Sequence, residues 1–247
     1  MPVRPRRHYA HAPITEALID IQVELPPISE LGQLERLHES IAAQYPGKRK
    51  RIEVHGEITG GEQVGATATQ SLKGFNFSSA DGRQIAQVRR DGFTFSRLSP
   101  YETWEGLRDE ARRLWELYRA AAKPTQINRV AVRYINQINI PLPMRDFVDY
   151  LRTMPQVSPD LAQGLSGFFM RLEQPQDDIG AHLVLTEAMM PTTAANICPV
   201  ALDIDVFGQG LKLTADREVW DLLELLRDRK NDVFEGCITD ATRSLIS

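Results

Sequence analysis

The sequence predicts an α+β protein in which two β-α-β(3-4)-α repeats form a curved, mainly antiparallel sheet with helices packed on one face. Three observations predict it: many short segments alternate apolar and polar residues, two long segments carry apolar residues at helical spacing, and the order of elements recurs in the second half. Glu16 to Leu25 places Ala17, Ile19, Ile21, Val23 and Leu25 on one side and Glu16, Asp20, Gln22 and Glu24 on the other, and Pro26-Pro27 ends it. Period two with one apolar face is a half-buried strand. Ser29 offers an N-cap for a helix carrying Leu31, Leu34, Leu37, His38 and Ile41, which Tyr45-Pro46-Gly47 stops. Strand patterns follow at Ile52 to Ile58, Ser71 to Ser79, Arg83 to Arg90 and Phe93 to Leu98. Asp91-Gly92 joins the last two as a hairpin signal. Trp104, Leu107, Ala111, Leu114, Trp115 and Tyr118 then mark an amphipathic helix ending at Lys123-Pro124.

The second half repeats the plan. Arg129 to Ile140 alternates and stops at Pro141; Phe147, Tyr150 and Leu151 suggest a short helix. Strands are expected at Phe168 to Glu173, His182 to Met189 and Ala201 to Phe207, with Gly208-Gln209-Gly210 turning the chain towards Leu211 to Leu213. A last helix carries Val219, Trp220, Leu222, Leu223, Leu226, Val233 and Phe234. Gly92 falls on Gly208, Trp104 on Trp220, Leu107 on Leu223 and Tyr118 on Phe234 at one spacing of 116, while Leu25-Pro26 matches Ile140-Pro141 within a residue of it. We therefore expect an internal duplication, residues 1–124 and 125–247, sharing one sheet. This element order resembles the saddle fold of TATA-box-binding proteins, without any residue motif of that family, so the resemblance carries no function.

Composition narrows the partners. The chain has 247 residues, 42% hydrophobic and 25% charged, with two cysteines, which suits a globular protein needing no disulfide framework. No run of about 18 apolar residues and no apolar leader occurs, so a cytoplasmic protein without membrane partner is expected. Lys and Arg number 29 against 33 Asp and Glu, and a net charge of −4 argues against nucleic acid. The polar side of the strands collects Arg51, Glu53, His55, Glu57, Arg83, Gln87, Arg89, Arg133, Gln137, Asn139, Arg171, Glu173, Asp203 and Asp205 beside the carboxylates of the first strand. A face of mixed sign repels phosphates where Glu16, Asp20 and Glu24 cluster. It is expected to be a solvated surface of cross-strand pairs, or else a groove for a polar ligand or protein in which Arg133, Arg89 and Asp20 are the first residues to test.

No nucleophile elbow, phosphate loop, dinucleotide fingerprint or zinc-binding spacing is present, and neither cofactor nor metal is expected. His8 and His11 lie in a basic arm with Arg4, Arg6 and Arg7; Cys198 and Cys237 sit among apolar residues; Gly60 to Gly65 lies between strands and does not open a helix. Arg97 shares the parity of Phe93 and Phe95, so it emerges at the end of a buried row, where an arginine pairs with a carboxylate or grips a substrate. Asn136 falls on the apolar side of its strand, where its amide must be satisfied by the backbone or by a ligand.

Tyr9 with Ala12-Pro13-Ile14, Glu16 to Ile21, the string Asp91 to Trp104, the helix Glu110 to Trp115 and Arg133-Tyr134-Ile135-Asn136 together resemble a sporadically distributed bacterial protein family of similar length. The resemblance covers most of the chain and implies no activity. It marks Tyr9, Pro13, Glu16, Arg97, Trp104, Arg133, Tyr134 and Asn136 as characteristic positions, and the family's patchy occurrence points to mobile-element, defence or toxin-antitoxin settings. The expected function is a non-enzymatic binding or interaction protein that engages a protein partner or small polar ligand through Tyr9, Glu16, Asp20, Arg89, Arg97, Arg133 and Asn136. The rival is a hydrolase or nuclease on the sheet face. Edge strands leave room for homo-oligomers.

Overall fold

The computed structural model describes residues 7–26, 31–59, 65–158, 160, 165–213 and 216–247. Arg4, Arg6, Ser29 and residues 60–64 of the glycine-rich loop lie outside the described residues, as do the side chains of His55 and Glu57. The strands are β1 (Ile14–Glu24), β2 (Gly47–Thr59), β3 (Gly65–Ser78), β4 (Gln84–Arg89), β5 (Gly92–Leu98), β6 (Gln126–Pro141), β7 (Phe169–Gln176), β8 (Ala181–Met189) and β9 (Ile197–Leu213). The helices are α1 (Leu31–Ile41), α2 (Trp104–Ala122), α3 (Asp216–Cys237) and α4 (Asp240–Ile246), with short 3-10 turns at Phe147–Asp149 and Asp177–Ile179.

The protein is α+β, and among the described residues its strands form one antiparallel sheet in the order β2-β3-β4-β5-β1-β6-β9-β8-β7. Central β1 pairs with β5 on one side and β6 on the other, Ile19 facing Phe95 and Val132. Because side chains alternate, this register gathers Ile19, Ile21, Phe93, Phe95, Val130 and Val132 on one face, all fully buried. Helices pack there: α1 on β3, α2 on β5 and β1, α3 on β9 and β6. One hydrophobic cluster runs from Leu34 through Trp115 and Tyr118 to Leu223 and Ile246. α2 begins at Thr103, whose hydroxyl accepts from the Gly106 N–H; removing such a cap costs about 1 kcal/mol.

The Asp91-Gly92 hairpin forms as expected, and the close approach of β1 requires its glycine. A Cβ at Gly92 would lie 2.4 Å from the Ile21 carbonyl oxygen and 3.2 Å from the Arg89 guanidinium. Gly208 to Gly210, by contrast, is not a turn between strands. Gly210 takes the left-handed conformation (φ 66°) beside a bulge in the β6/β9 register, and β9 continues unbroken to Leu213. Gly208 pairs with Val130 in mid-strand while Gly92 opens β5 opposite Gln22, so the shared spacing of these two glycines marks different backbone roles. A glycine that relieves a bulge reads in sequence like one that makes a turn.

Candidate functional site

On the face away from the helices, polar and charged side chains tie five adjacent strands together, from β4 through β5, β1 and β6 to β9. Asp20 of β1 accepts from the Thr94 hydroxyl at 2.6 Å and from Arg89 at 3.0 Å through one oxygen, and from Arg129 at 3.1 Å through the other. Arg129 continues to Asp205 at 2.9 Å and stacks on the Phe207 ring, 4.2 Å from its centroid. Arg89 also reaches Asp91 at 3.0 Å. Arg133 grips Asp203 with both prongs of its guanidinium, and with Arg129, Arg171 and Thr186 it lines a hollow of about 270 Å³. Asp20 and Arg89 are both 9% exposed, so these partners hold charges largely removed from water. Truncating one member of such a set strands the others, which explains why the face is so densely paired. Burial pushes the Asp205 carboxyl above the usual range, against the pull of Arg129 and Arg133.

A second constellation lies at the opposite layer. The arm from Arg7 to Pro13 is held by a bond from the His11 N–H to the Ile246 carbonyl and by the Pro13 carbonyl accepting from the Gln137 N–H. Beneath it, between the β5–α2 connection, β6 and α3, lies a cavity of about 700 Å³, within the range of small-molecule sites. Its walls mix five aromatic rings, Tyr9, Tyr101, Trp104, Tyr134 and Phe234, with charged side chains such as Arg7, Glu105, Arg227 and Glu235. The Tyr101 and Tyr134 hydroxyls share a hydrogen bond of 2.8 Å. Tyr9 donates to Glu235 at 2.5 Å, which Arg243 holds from the other side at 2.9 Å. Burial and then the Glu235 bond raise the Tyr9 hydroxyl above its usual pKa; burial does the same, further, to Tyr134.

Lys230 of α3 lines the same cavity. It is 8% exposed, and its ammonium sits 3.7 Å from the centroid of the Tyr134 ring. Among the described residues it makes no hydrogen bond or ion pair, and burial drives its pKa down to about 7, helped by Arg227 and opposed by Asp228. Buried lysines are ordinarily paired or converted to the neutral amine. Lys230 is thus a near-neutral amine at the wall of an aromatic cavity.

The sequence candidates divide between these places. Tyr9 and Asn136 line the cavity, and the Asn136 amide donates to the Leu202 carbonyl at 2.9 Å. Arg97 does not line the cavity and pairs at 2.9 Å with Glu102, which does. Asp20 and Arg89 meet directly, whereas Arg133 belongs to the neighbouring Asp203 pair with Glu16 close enough to act on its charge. Sequence reasoning missed Arg129, Tyr101 and Lys230. Arg129 shares the parity of Arg133, and Lys230 continues the buried stripe of Leu223 and Leu226 at helical spacing, so both signals were present. Tyr101 lies outside any regular element and could be placed only by the fold. Among the described residues no three His, Cys, Asp or Glu side chains gather as metal ligands, and no helix is long and apolar enough to cross a membrane. In comparisons with known proteins the chain matches no family model, and no curated protein sequence matches it.

Proposed function

We infer that this is a non-enzymatic binding protein whose ligand is a small, flat molecule with a polar group, taken into the cavity beneath the N-terminal arm. The observation that carries the reading is the buried Lys230 side chain, without a bonded partner among the described residues, facing a cavity of about 700 Å³ that five aromatic rings help to line. Aromatic walls favour a planar apolar body, and Lys230, Asn136 and the Tyr101–Tyr134 pair supply the few polar contacts that fix its orientation. The arm supplies one wall, which ties Tyr9 to the same role. On the sheet face, Asp20 has both oxygens engaged and Arg133 is held bidentate, which favours a structural role there over hydrolase or nuclease chemistry.

We further infer that the two halves arose by duplication into a curved saddle. Support comes from self-matching contacts. On the β1/β6 pair Leu18 faces Arg133, its counterpart at the strand spacing of 115, and on the helices Arg108 bonds to Glu224 at 2.8 Å, its counterpart at 116. A two-fold relation brings equivalent residues face to face only at its axis. The mobile-element or defence setting suggested by the family resemblance is compatible with a ligand sensor of this kind.

The neutral dye N-phenyl-1-naphthylamine tests the binding reading. One dye is expected to bind per chain with quenching of Trp104, and Ala12→Trp, which projects a ring from the arm into the cavity, is expected to abolish it. Dye binding that is absent, or unchanged in Ala12→Trp, overturns the reading.

A further inference from the structure

The cavity reading leaves one residue chemically unexplained. Helix α3 needs an apolar side chain at position 230: Leu223 and Leu226 on the same stripe are fully buried, and the residue 116 positions earlier, in α2, is the equally buried Leu114. At the same spacing Trp104 and Trp220, and Leu107 and Leu223, are buried alike, so the two stripes correspond. A leucine at 230 would satisfy the packing. The chain instead holds an amine there, with no carboxylate bonded to it among the described residues, 3.7 Å from the centre of the Tyr134 ring and open to the cavity. An ion-pairing role would require a bonded carboxylate. Asp228 on the same helix is partnered by Arg227 at 2.9 Å, and Glu235 is taken by Tyr9 and Arg243. What remains is a buried amine without a bonded counter-charge, part of it neutral at pH 7, the condition that makes a lysine a nucleophile towards carbonyl carbon.

We propose that Lys230 captures an aldehyde or ketone, bearing a planar aromatic or unsaturated body, as an imine inside the cavity. This rests on the binding reading above and names its ligand class. The Lys230 Nζ lone pair attacks the carbonyl carbon, and the carbonyl π electrons pass to oxygen, which takes a proton from the Tyr101–Tyr134 hydroxyl pair lying beside it. The carbinolamine nitrogen returns its proton to that pair. The carbinolamine then loses its oxygen and the second amine proton as water, and a C=N bond replaces C=O with no change in oxidation state. When the imine is protonated it lies against the face of Tyr134, which favours a cation. Water re-entering the cavity reverses every step and releases the carbonyl compound, so the capture is reversible binding. The charged groups acting on Nζ are Arg227 and Asp228 on α3; Glu105 acts on the neighbouring Tyr134, and Glu102, Arg229, Asp232 and Glu235 line the same cavity.

Pyridoxal is the probe, with sodium cyanoborohydride to reduce the imine to a stable secondary amine, applied to the full chain at neutral pH and followed by peptide mapping. The expected result is one adduct, on Lys230, forming at least about tenfold faster than on the exposed Lys73, whose amine Glu53 holds in an ion pair at 2.7 Å. Lys230→Arg keeps a cation but has no nucleophilic amine, and Lys230→Leu restores the apolar stripe. Both are expected to lose the adduct, with an unchanged near-ultraviolet circular dichroism spectrum showing that the fold is intact. Modification spread over surface lysines with Lys230 untouched, while the dye still binds, overturns the imine and leaves the binding reading standing. Loss of dye binding in the wild-type protein removes both.

Discussion

Glu187 lies on the apolar side of β8, between Met170 of β7 and Leu202 of β9, and both its carboxyl oxygens are fully buried without a hydrogen-bond partner among the described residues. Burial alone raises its pKa from 4.5 to about 8, so the folded chain carries it as a neutral acid at pH 7 while the unfolded chain ionises it. The sign follows from proton counting: between the two pKa values the folded state binds more protons than the unfolded, so stability falls as the pH rises from 4.5 and levels off above 8. A shift of that size corresponds to roughly 5 kcal/mol across the window, about 3 of it already lost at pH 7. Glu187→Gln removes the titration while keeping the same buried, unpartnered polar shape, so the missing hydrogen bonds cancel from the comparison. Urea unfolding of both proteins at about pH 5, pH 7 and pH 9 reads the difference directly. The variant is expected to be close to the wild type at the lowest pH and several kcal/mol more stable at the highest. Parallel stability curves across the three conditions would refute the assignment of a buried neutral acid.

Lys230→Leu titrates in the opposite sense: the folded lysine is depressed to about 7, so the wild type gains stability as the pH rises from 7 towards 10.5, and the variant, on the order of 3 kcal/mol more stable at pH 6 after the lost ring contact is counted, shows no such gain in thermal melts. Asp20→Ala leaves Arg89 with only Asp91 and Arg129 with only Asp205 as a carboxylate partner beside a vacated site and is expected to cost about 2 kcal/mol in chemical denaturation; no measurable loss would show that the network adds nothing to stability. Tyr9→Phe removes the bond to Glu235 and loosens the arm, so limited proteolysis near His11 is expected to quicken severalfold while global stability drops by only about 1 kcal/mol.

Much of this protein was determined by its sequence alone, because strand and helix periods are local. Alternation from Ala17 to Val23 fixed which side chains of β1 are buried, Asp91-Gly92 fixed a hairpin, and the stripe from Trp104 to Tyr118 fixed the buried face of α2. The same locality placed Asn136 on the apolar face and Arg97 at the end of a buried row, and both stand there with the partners such positions demand. Tertiary structure decided what distance along the chain hides. Arg129 joins Asp20 to Asp205 across 109 and 76 residues, and the register of β1, β6 and β9 alone brings them together. The glycines at 208 and 210 read as a turn and proved to be a bulge, because pairing with β6 continues past them. Above all, the cavity takes its walls from the arm, residues 99–105, β6, the turn at Asp178 and α3, five stretches that no periodicity relates. Periodicity could mark position 230 as buried, but only packing could show that no carboxylate among the described residues bonds its amine and that a cavity lies in front of it.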